Sequence, residues 1–288
     1  MKIIAIGDGL IIKIIKDFDP VHTFECGQCF RWNREGEGYV GIVGNKVIKV
    51  VAEDEDILLY NATMEDYNIL WKKYFDLDRD YGDIKRVLSN DPILAKAITY
   101  GWGIRILNQD PWETLISFII SANNEISRIK GIIENICKLY GDRIEWKGRT
   151  YYTFPKPDTL ANAKIEDLRG CSCGYRAEYI KATSQMVADG TIDLHGISNM
   201  PYERAHKELL RCMGVGPKVA DCILLFSMEK GEAFPVDVWV RRVMEYFYLK
   251  DGATPKKIKA FSAEKFGELA GYAQQYLFYY AREKKIGV

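Results

Sequence analysis

The first sixty residues alternate between apolar and polar positions with the period of two that is typical of half-buried β-strands. This pattern predicts strands over residues 10–16, 39–43, 46–51 and 57–60. Gly44 and Asn45 lie between the second and third of these strands, and such a pair favours a two-residue hairpin. The acidic run 53–56 predicts a solvated turn. We therefore expect a short antiparallel sheet at the amino terminus.

From residue 63 onward the apolar positions follow a helical period. Thr63 and Asp66 have the spacing of a capping box, which predicts a helix that runs to about Phe75. Asp-Pro pairs at 91–92 and 110–111 each place a capping acid before a proline at the first helical position. Further helices are predicted over residues 126–140, 174–188, 202–212, 217–228, 238–248 and 263–284.

Together these patterns predict an α+β protein with two domains. A small antiparallel, twisted β-sheet domain is expected over residues 1–76, and a helical domain is expected over residues 77–288. The chain has 288 residues, which is long enough for two well-buried cores. The sequence contains no internal repeat and no low-complexity linker.

Composition excludes some classes of protein but does not select one. The formal net charge is zero, so there is no overall basic field to attract nucleic acid. Residues 1–100 carry 13 Lys/Arg and 17 Asp/Glu, whereas the rest of the chain carries 27 and 23, so an anion-binding surface is expected in the second part. Asp8 and Lys13 interrupt the apolar amino terminus, so a signal peptide is not predicted. No apolar run reaches the length of a membrane span.

The seven cysteines indicate a reducing compartment, because their number is odd and several lie inside apolar helical patterns. We therefore expect a cytoplasmic protein. Cys26 and Cys29 have the spacing of metal ligands, but no second pair of Cys or His lies nearby in the sequence. No metal site and no cofactor are predicted.

The segment 210–222 carries the first indication of chemistry. Gly214, Val215 and Gly216 join two predicted helices, and the two glycines allow positive φ and close approach of the backbone to a ligand. The N–H groups of such a turn, together with the start of the next helix, can bind a DNA phosphate. An ordinary elbow between two helices would need the glycines for geometry alone.

Lys218 and Asp237 follow this hairpin at positions that suit catalysis. Lys218 lies in the first turn of its helix, where the helix dipole and partial burial disfavour the charged amine, as an amine nucleophile requires. Asp237 precedes the next predicted helix, so it is expected to cap that helix. If it also faces Lys218, it can stabilise a positively charged sugar. A phosphate-binding lysine and a simple cap are the alternatives.

These residues resemble a known signature. Residues 213–221, followed by Val236-Asp237-Val238, are similar to the helix-hairpin-helix and Gly/Pro-rich loop of the base-excision DNA glycosylase superfamily, with its aspartate. Within that superfamily the chain resembles the 8-oxoguanine DNA glycosylase/lyases. Further similar segments occur in the same order along the chain, at 25–32, 108–111, 121–128, 174–177 and 273–278. The resemblance also implies that the amino-terminal sheet is like that of the TATA-binding protein.

The resemblance implies a role for each matching residue. Lys218 would form a Schiff base with the sugar, and Asp237 would assist. In the base pocket, the Gly27 carbonyl would accept the N7–H of 8-oxoguanine and Gln274 would bind its Watson–Crick edge. The base would lie between Phe278 and Cys222, with Phe226 as a further wall.

The resemblance also implies contacts to double-stranded DNA. Asn123, Arg128 and Arg176 would contact the orphaned cytosine, and Tyr175 would enter the base stack. The expected phosphate contacts are Gly214, Val215, Gly216 and Trp239. Trp239 departs from the family, which often has histidine there, and this points to a compact prokaryotic form. A core position for the aromatic residues, a solvated helix face for the arginines and a local cap for Asn123 stay open.

Two rival functions are weighed against this one. The first is a helix-hairpin-helix glycosylase for another damaged base. The iron–sulfur branches of the superfamily usually carry four cysteines after the aspartate helix, whereas no cysteine follows Cys222 here. No iron–sulfur cluster is therefore expected. The second rival is a non-catalytic DNA-binding module, which would not explain the spacing to Asp237. A monomer is expected from the family.

Overall fold

The computed structural model describes residues 2–13, 15–250 and 252–287. Within these residues an antiparallel sheet of six strands forms the amino-terminal part. The strands are β1 (Lys2–Ile6), β2 (Gly9–Lys13), β3 (Trp32–Glu35), β4 (Gly38–Val43), β5 (Lys46–Glu53) and β6 (Asp56–Tyr60). They lie in the order β1-β2-β6-β5-β4-β3. The predicted α+β class with an antiparallel sheet before a helical region is confirmed.

The predicted hairpin at Gly44 and Asn45 is present and sets the register of β4 and β5. The turn pairs Val43 with Lys46. Gly44 has a φ of +57°, a conformation that glycine adopts without steric strain. On β5 this register buries Ile48 and Val50 against the amino-terminal core. The alternation of apolar residues and the turn chemistry therefore agree.

The sheet is larger than predicted, because β1 and β3 were both missed. β3 buries only Trp32 of its four residues, so it shows no alternation that the sequence pattern could reveal. The predicted strand over 10–16 is β2, which ends at Lys13, and its residue 14 lies outside the described residues. The acidic turn is also shorter than predicted, because Asp56 already belongs to β6 and pairs with Lys13.

Helices make up most of the remaining chain. They are α1 (Pro20–Glu25), α2 (Met64–Asp66), α3 (Lys72–Tyr74), α4 (Tyr81–Leu88), α5 (Pro92–Tyr100), α6 (Pro111–Ser121), α7 (Ile126–Tyr140), α8 (Pro157–Asn162), α9 (Ile165–Gly170), α10 (Arg176–Ala188), α11 (Leu194–Ser198), α12 (Tyr202–Leu209), α13 (Pro217–Ser227), α14 (Val238–Met244), α15 (Pro255–Phe266) and α16 (Ala270–Lys284). Two π-helical turns, Tyr67–Trp71 and Glu245–Leu249, and a 3₁₀ turn, Gly267–Leu269, continue some of them.

The predicted helix starts are confirmed by their caps. Thr63 and Asp66 form the reciprocal capping box, and the helical chain then passes through the first π-helical turn before α3. Asp91 accepts from two N–H groups at the start of α5. Asp110 accepts from the Glu113 N–H at the start of α6.

Two predictions in the helical part are wrong. The single helix expected over 263–284 is divided into α15 and α16, because the chain turns at Gly267 with a φ of +53°. A short hairpin of β7 (Arg143–Trp146) and β8 (Arg149–Tyr152) was not predicted at all. Lys147 and Gly148 form its turn, both with positive φ. The hairpin packs on the outer face of the sheet, against Val40, Ile42 and Val47.

The described residues contain two large apolar cores, one under the sheet and one within the helices. In the first, Phe24 stacks on Trp32 with ring centroids 4.0 Å apart. This core also includes Leu107, so the two predicted domains share a packed face, and their boundary after residue 76 stays a prediction. None of the described helices has the length and apolar character needed to cross a membrane.

Candidate active site and DNA groove

The hairpin between α12 and α13 is built around one glycine in a positive-φ conformation. Gly214 has a φ of +84°, and a Cβ there would lie 2.8 Å from Tyr179 Cδ2, so no larger residue fits. Gly216 has a φ of −93°, which corrects the expectation that both glycines supply positive φ. A Cβ on Gly216 would meet no atom within 4 Å, so this face of the hairpin is open.

The start of α13 offers an anion site beside this open face. Gly216 is the cap residue and has no side chain, and Pro217 occupies the first helical position. The first N–H groups of a helix have no intrahelical acceptor, so those of α13 are free for a phosphate. The side chain of Val215 is buried, and its N–H donates to the Cys212 carbonyl at 3.1 Å.

Lys218 and Asp237 approach the same pocket from two helix ends. The Lys218 ammonium lies 5.2 Å from the centre of the Phe118 ring. Asp237 caps α14 as predicted, and its carboxylate accepts from the Val240 N–H at 2.8 Å. Burial raises the pKa of Asp237, although the Val240 N–H and the Lys218 ammonium act in the opposite direction.

The pocket that contains them has a volume of about 310 Å³. It is lined by Gly27, Phe118, Lys218, Cys222, Phe226, Pro235, Asp237, Gln274, Gln275 and Phe278. The structure thus brings together both predicted catalytic residues and all five predicted base-pocket residues. Phe118, Pro235 and Gln275 were missed. Phe118 lies on α6, a helix that is buried almost throughout, so the hydrophobic pattern gives no sign of a pocket position.

The walls of the pocket are apolar, with one free acceptor. Phe226 stacks on Phe118 at 5.6 Å between ring centroids. Burial raises the pKa of the Cys222 thiol to about 11. Gln274 is 4% exposed, and its amide oxygen has no hydrogen-bond partner among the described residues. A buried acceptor without a donor is costly unless a ligand supplies the donor.

A second free acceptor is the carbonyl group of Gly27. The neighbouring carbonyls of Glu25, Cys26 and Gln28 accept hydrogen bonds from the side chains of Arg282, Gln275 and Gln109. The Gly27 carbonyl accepts none from the residues that the structure describes. The Gln28 side chain is fully buried and bonds to backbone groups of Thr23, Arg105 and Leu107. Gln28 therefore supports the loop, as the sequence analysis expected.

The pocket opens into a groove formed by the loop after α6, the glycine hairpin and the start of α14. Tyr175 is 54% exposed beside α10, so it is not a core aromatic residue. Arg176 is buried and is not on a solvated helix face, since its guanidinium donates to the carbonyls of Ala122 and Asn123. Asn123 is exposed with a φ of +50°. Arg128 is exposed on α7.

Comparisons with known proteins agree with this geometry. Residues 10–115 match the family model of the 8-oxoguanine DNA glycosylase amino-terminal domain. Residues 116–268 match the model of the HhH-GPD superfamily of base excision DNA repair proteins. A probable N-glycosylase/DNA lyase of Methanothermobacter thermautotrophicus is 40% identical over 228 residues, which cover 72% of each chain. This chain belongs to the 8-oxoguanine DNA glycosylase family.

Two further relatives show how far this family resemblance extends. The N-glycosylase/DNA lyase OGG1 of Arabidopsis thaliana is 30% identical over 274 residues, or 89% of this chain and 75% of that protein. The 8-oxoguanine glycosylase/lyase of Clostridium acetobutylicum, solved with double-stranded DNA containing cytosine opposite 8-oxoguanine, is 47% identical. It superposes with a TM-score of 0.97 over 99% of both chains. The family fold therefore extends along the whole chain.

This glycosylase carries Trp239 where the family often has histidine. Trp239 lines the groove next to Asp237. The Arg242 guanidinium lies 5.1 Å from the centre of the Trp239 ring system. An indole N–H can still donate to a phosphate, and the nearby guanidinium supplies a positive charge.

Proposed function

We propose that this protein is a bifunctional DNA glycosylase and AP lyase that removes 8-oxoguanine, preferably opposite cytosine, from double-stranded DNA. The observation that carries the proposal is the shared pocket, where an amine and a carboxylate lie beside two free acceptors, the Gln274 amide oxygen and the Gly27 carbonyl. The damaged nucleotide must leave the duplex to enter this pocket, which costs a few kcal/mol of unstacking.

Lys218 is the proposed nucleophile. Its neutral amine attacks the anomeric carbon of the sugar, the bond to the base breaks, and the base leaves with a proton. The sugar ring then opens to give an imine between Lys218 and the former anomeric carbon. Loss of a proton from the adjacent carbon expels the 3′ phosphate and cleaves the strand. The Asp237 carboxylate stabilises the positive charge on the sugar during base release.

Selectivity for the oxidised base is assigned to the free acceptors. 8-Oxoguanine carries an N7–H that guanine lacks, and the unpaired Gly27 carbonyl can accept it. Gln274 would bind the Watson–Crick edge, and Phe278 and Cys222 would hold the base between them. A site built to pair a donor rejects the analogue without it, because the buried acceptor then stays unpaired.

The groove residues are assigned to the rest of the duplex. Asn123, Arg128 and Arg176 would contact the orphaned cytosine, and Tyr175 would fill the gap in the stack. Arg176 would act partly through the loop that it holds at Asn123. Gly214, Gly216 and Trp239 would bind phosphates, whereas Val215 would contribute through its position in the turn, since its N–H is already paired.

We further propose that the enzyme works as a monomer in the cytoplasm, bound to nucleoid DNA, without a metal, a cofactor or an iron–sulfur cluster. Light scattering on the free protein should give the mass of one 33.0 kDa chain. Treatment with a chelator should leave activity unchanged. A stable dimer, or loss of activity after chelation, would contradict this part of the proposal.

The proposed substrate is tested by an excision screen. Duplexes that carry guanine, 8-oxoguanine, a methylated purine or an oxidised pyrimidine, each opposite all four bases, are incubated with the enzyme under single-turnover conditions. We expect 8-oxoguanine opposite cytosine to be cleaved fastest. Faster release of a methylated purine or an oxidised pyrimidine would replace the proposal with the rival glycosylase function. Arg128→Ala should reduce the preference for cytosine, and an unchanged preference would remove Arg128 from this role.

A further inference from the structure

Arg282 lies behind Gly27 and is not used by the proposed chemistry. It follows Phe278 by one turn of α16, and 17% of its side chain is exposed. Its guanidinium carbon lies 5.4 Å from the centre of the Phe278 ring and 5.6 Å from that of the Tyr279 ring. A planar cation therefore packs against the aromatic ring that is proposed to hold the base.

The donors of Arg282 are directed at the loop before Gly27. Nη2 donates to the Glu25 carbonyl at 2.6 Å, and Nε donates to Glu283 Oε1 at 3.0 Å. Nη1 is buried and has no partner among the described residues. An unpaired buried donor weakens the fold, so stability alone does not explain an arginine at this position.

Gln275 forms a second tether from the same helix. Its amide nitrogen donates to the Cys26 carbonyl at 2.7 Å. Gln275 and Arg282 are two helical turns apart and lie on one face of α16. Two consecutive carbonyls, those of Glu25 and Cys26, are thus held on α16. The next carbonyl is the free one of Gly27, and these tethers limit the directions in which it can point.

Arg282 also limits how closely the loop approaches the helix. A Cβ on Gly27 would lie 3.3 Å from Arg282 Nη1 and 3.1 Å from Phe278 Cε1. The guanidinium and the ring are therefore already close to the glycine. Together they fix the distance between the Gly27 carbonyl and the face of Phe278.

We propose that Arg282 is a positioning residue for damage recognition. Its guanidinium holds residues 25–27 on α16, so that the Gly27 carbonyl and the Phe278 ring keep the separation that the oxidised base requires. Arg282 acts through these two residues and does not touch the reacting atoms. This inference rests on the proposed function, in which the Gly27 carbonyl reads the N7–H.

The test compares two reactions of one enzyme. Excision of 8-oxoguanine opposite cytosine needs the base reader, whereas cleavage at a preformed abasic site presents no base to read. Arg282→Ala should lower the single-turnover excision rate by about 10-fold or more, because small displacements of positioning groups cost factors of this size. The rate of abasic-site cleavage should stay within about twofold of wild type, since Lys218 is untouched. Arg282→Lys keeps the charge but not the planar fork, and should recover only part of the excision rate.

The control is Lys284→Ala, which removes an exposed cation from the same end of α16. It should leave both reactions unchanged, and thermal unfolding should show that every variant is folded. Equal loss of both activities in Arg282→Ala, unchanged excision in that variant, or full recovery with Arg282→Lys would overturn the inference. Wild-type enzyme that cleaves abasic sites without releasing 8-oxoguanine would instead overturn the proposed substrate.

Discussion

Gly27 is the residue at which backbone conformation and base recognition are most closely joined. Its φ of +83° favours glycine, and the space beside it is occupied by Phe278 and Arg282. Its carbonyl is free, whereas the carbonyls around it are bonded to side chains. A substitution here changes the position of the proposed reader before it changes anything else.

We predict that Gly27→Ala abolishes most excision of 8-oxoguanine while abasic-site cleavage persists. The methyl group forces Phe278 or the loop to move, and a positive φ costs alanine about 1–2 kcal/mol. Gly36→Ala is the matched control, because Gly36 has a φ of +59° with no atom within 4 Å of an added Cβ. The control should lose similar stability but keep its excision rate. Equal excision rates for the two variants would remove Gly27 from the recognition site.

Gln274 makes a second prediction at this scale. Its amide oxygen is buried without a partner, so Gln274→Leu should not lower the melting temperature, since an apolar group of similar size removes an unpaired acceptor. The same change should slow excision of 8-oxoguanine by about 10-fold or more, because it removes the proposed contact to the base. A large fall in melting temperature would show instead that Gln274 is a structural residue.

The separate site residues could be predicted only in part. Gly27 and Phe278 are 251 positions apart, and periodicity gives no reason to bring them together. Their placement in one pocket was predicted from ordered segments that resemble a family, not from the hydrophobic pattern. Arg282 was missed because the end of α16 looks like an ordinary charged helix terminus.

At the scale of elements, local capping rules were reliable and irregular turns were not. Asp91, Asp110 and Thr63 each cap the helix that they were predicted to start. These caps depend on neighbours within three residues, so the sequence contains all that is needed. The π-helical turns and β3 depend on packing against distant residues. The sequence pattern could not reveal them.

Asp91 provides a pH-dependent test at this scale. Burial acts to raise its pKa, but the Lys265 ammonium, the Leu94 N–H and the Tyr248 hydroxyl together lower it below its ordinary value. Lys265 lies 2.7 Å and the Tyr248 hydroxyl 2.8 Å from the carboxylate, which therefore connects α5 to the segment before α15 and to α15 itself. The folded state holds the proton less tightly than the unfolded chain does.

We therefore predict that Asp91 stabilises the fold at neutral pH and loses this effect in acid. Asn still caps a helix, so Asp91→Asn should cost about 1 kcal/mol at pH 7, mainly from the lost charge. The difference should be complete above about pH 4, near the ordinary aspartate pKa, and should disappear as the pH falls through the lower folded value. Chemical denaturation of both proteins across this range measures it. Asp83→Asn, at an exposed ion pair, should be nearly neutral, and a constant Asp91 difference would contradict the linkage.

At the scale of the whole molecule, the pocket is assembled from both ends of the chain. Gly27 comes from the loop after α1, the catalytic pair comes from α13 and α14, and Gln274 comes from α16. The net charge of zero conceals this arrangement, because a DNA groove needs only a local group of donors. Composition therefore indicated little about function, whereas the order of short segments indicated the family.

The central claim is that Lys218 forms a covalent imine with damaged DNA. Borohydride reduces such an imine to a stable amine and so links the protein to the strand. With an 8-oxoguanine:cytosine duplex, wild-type protein and the exposed-site control Lys256→Gln should both give the linked species on a denaturing gel, and Lys218→Gln should give none. A full yield from Lys218→Gln, or no linked species from wild-type protein that excises the base, would contradict the account.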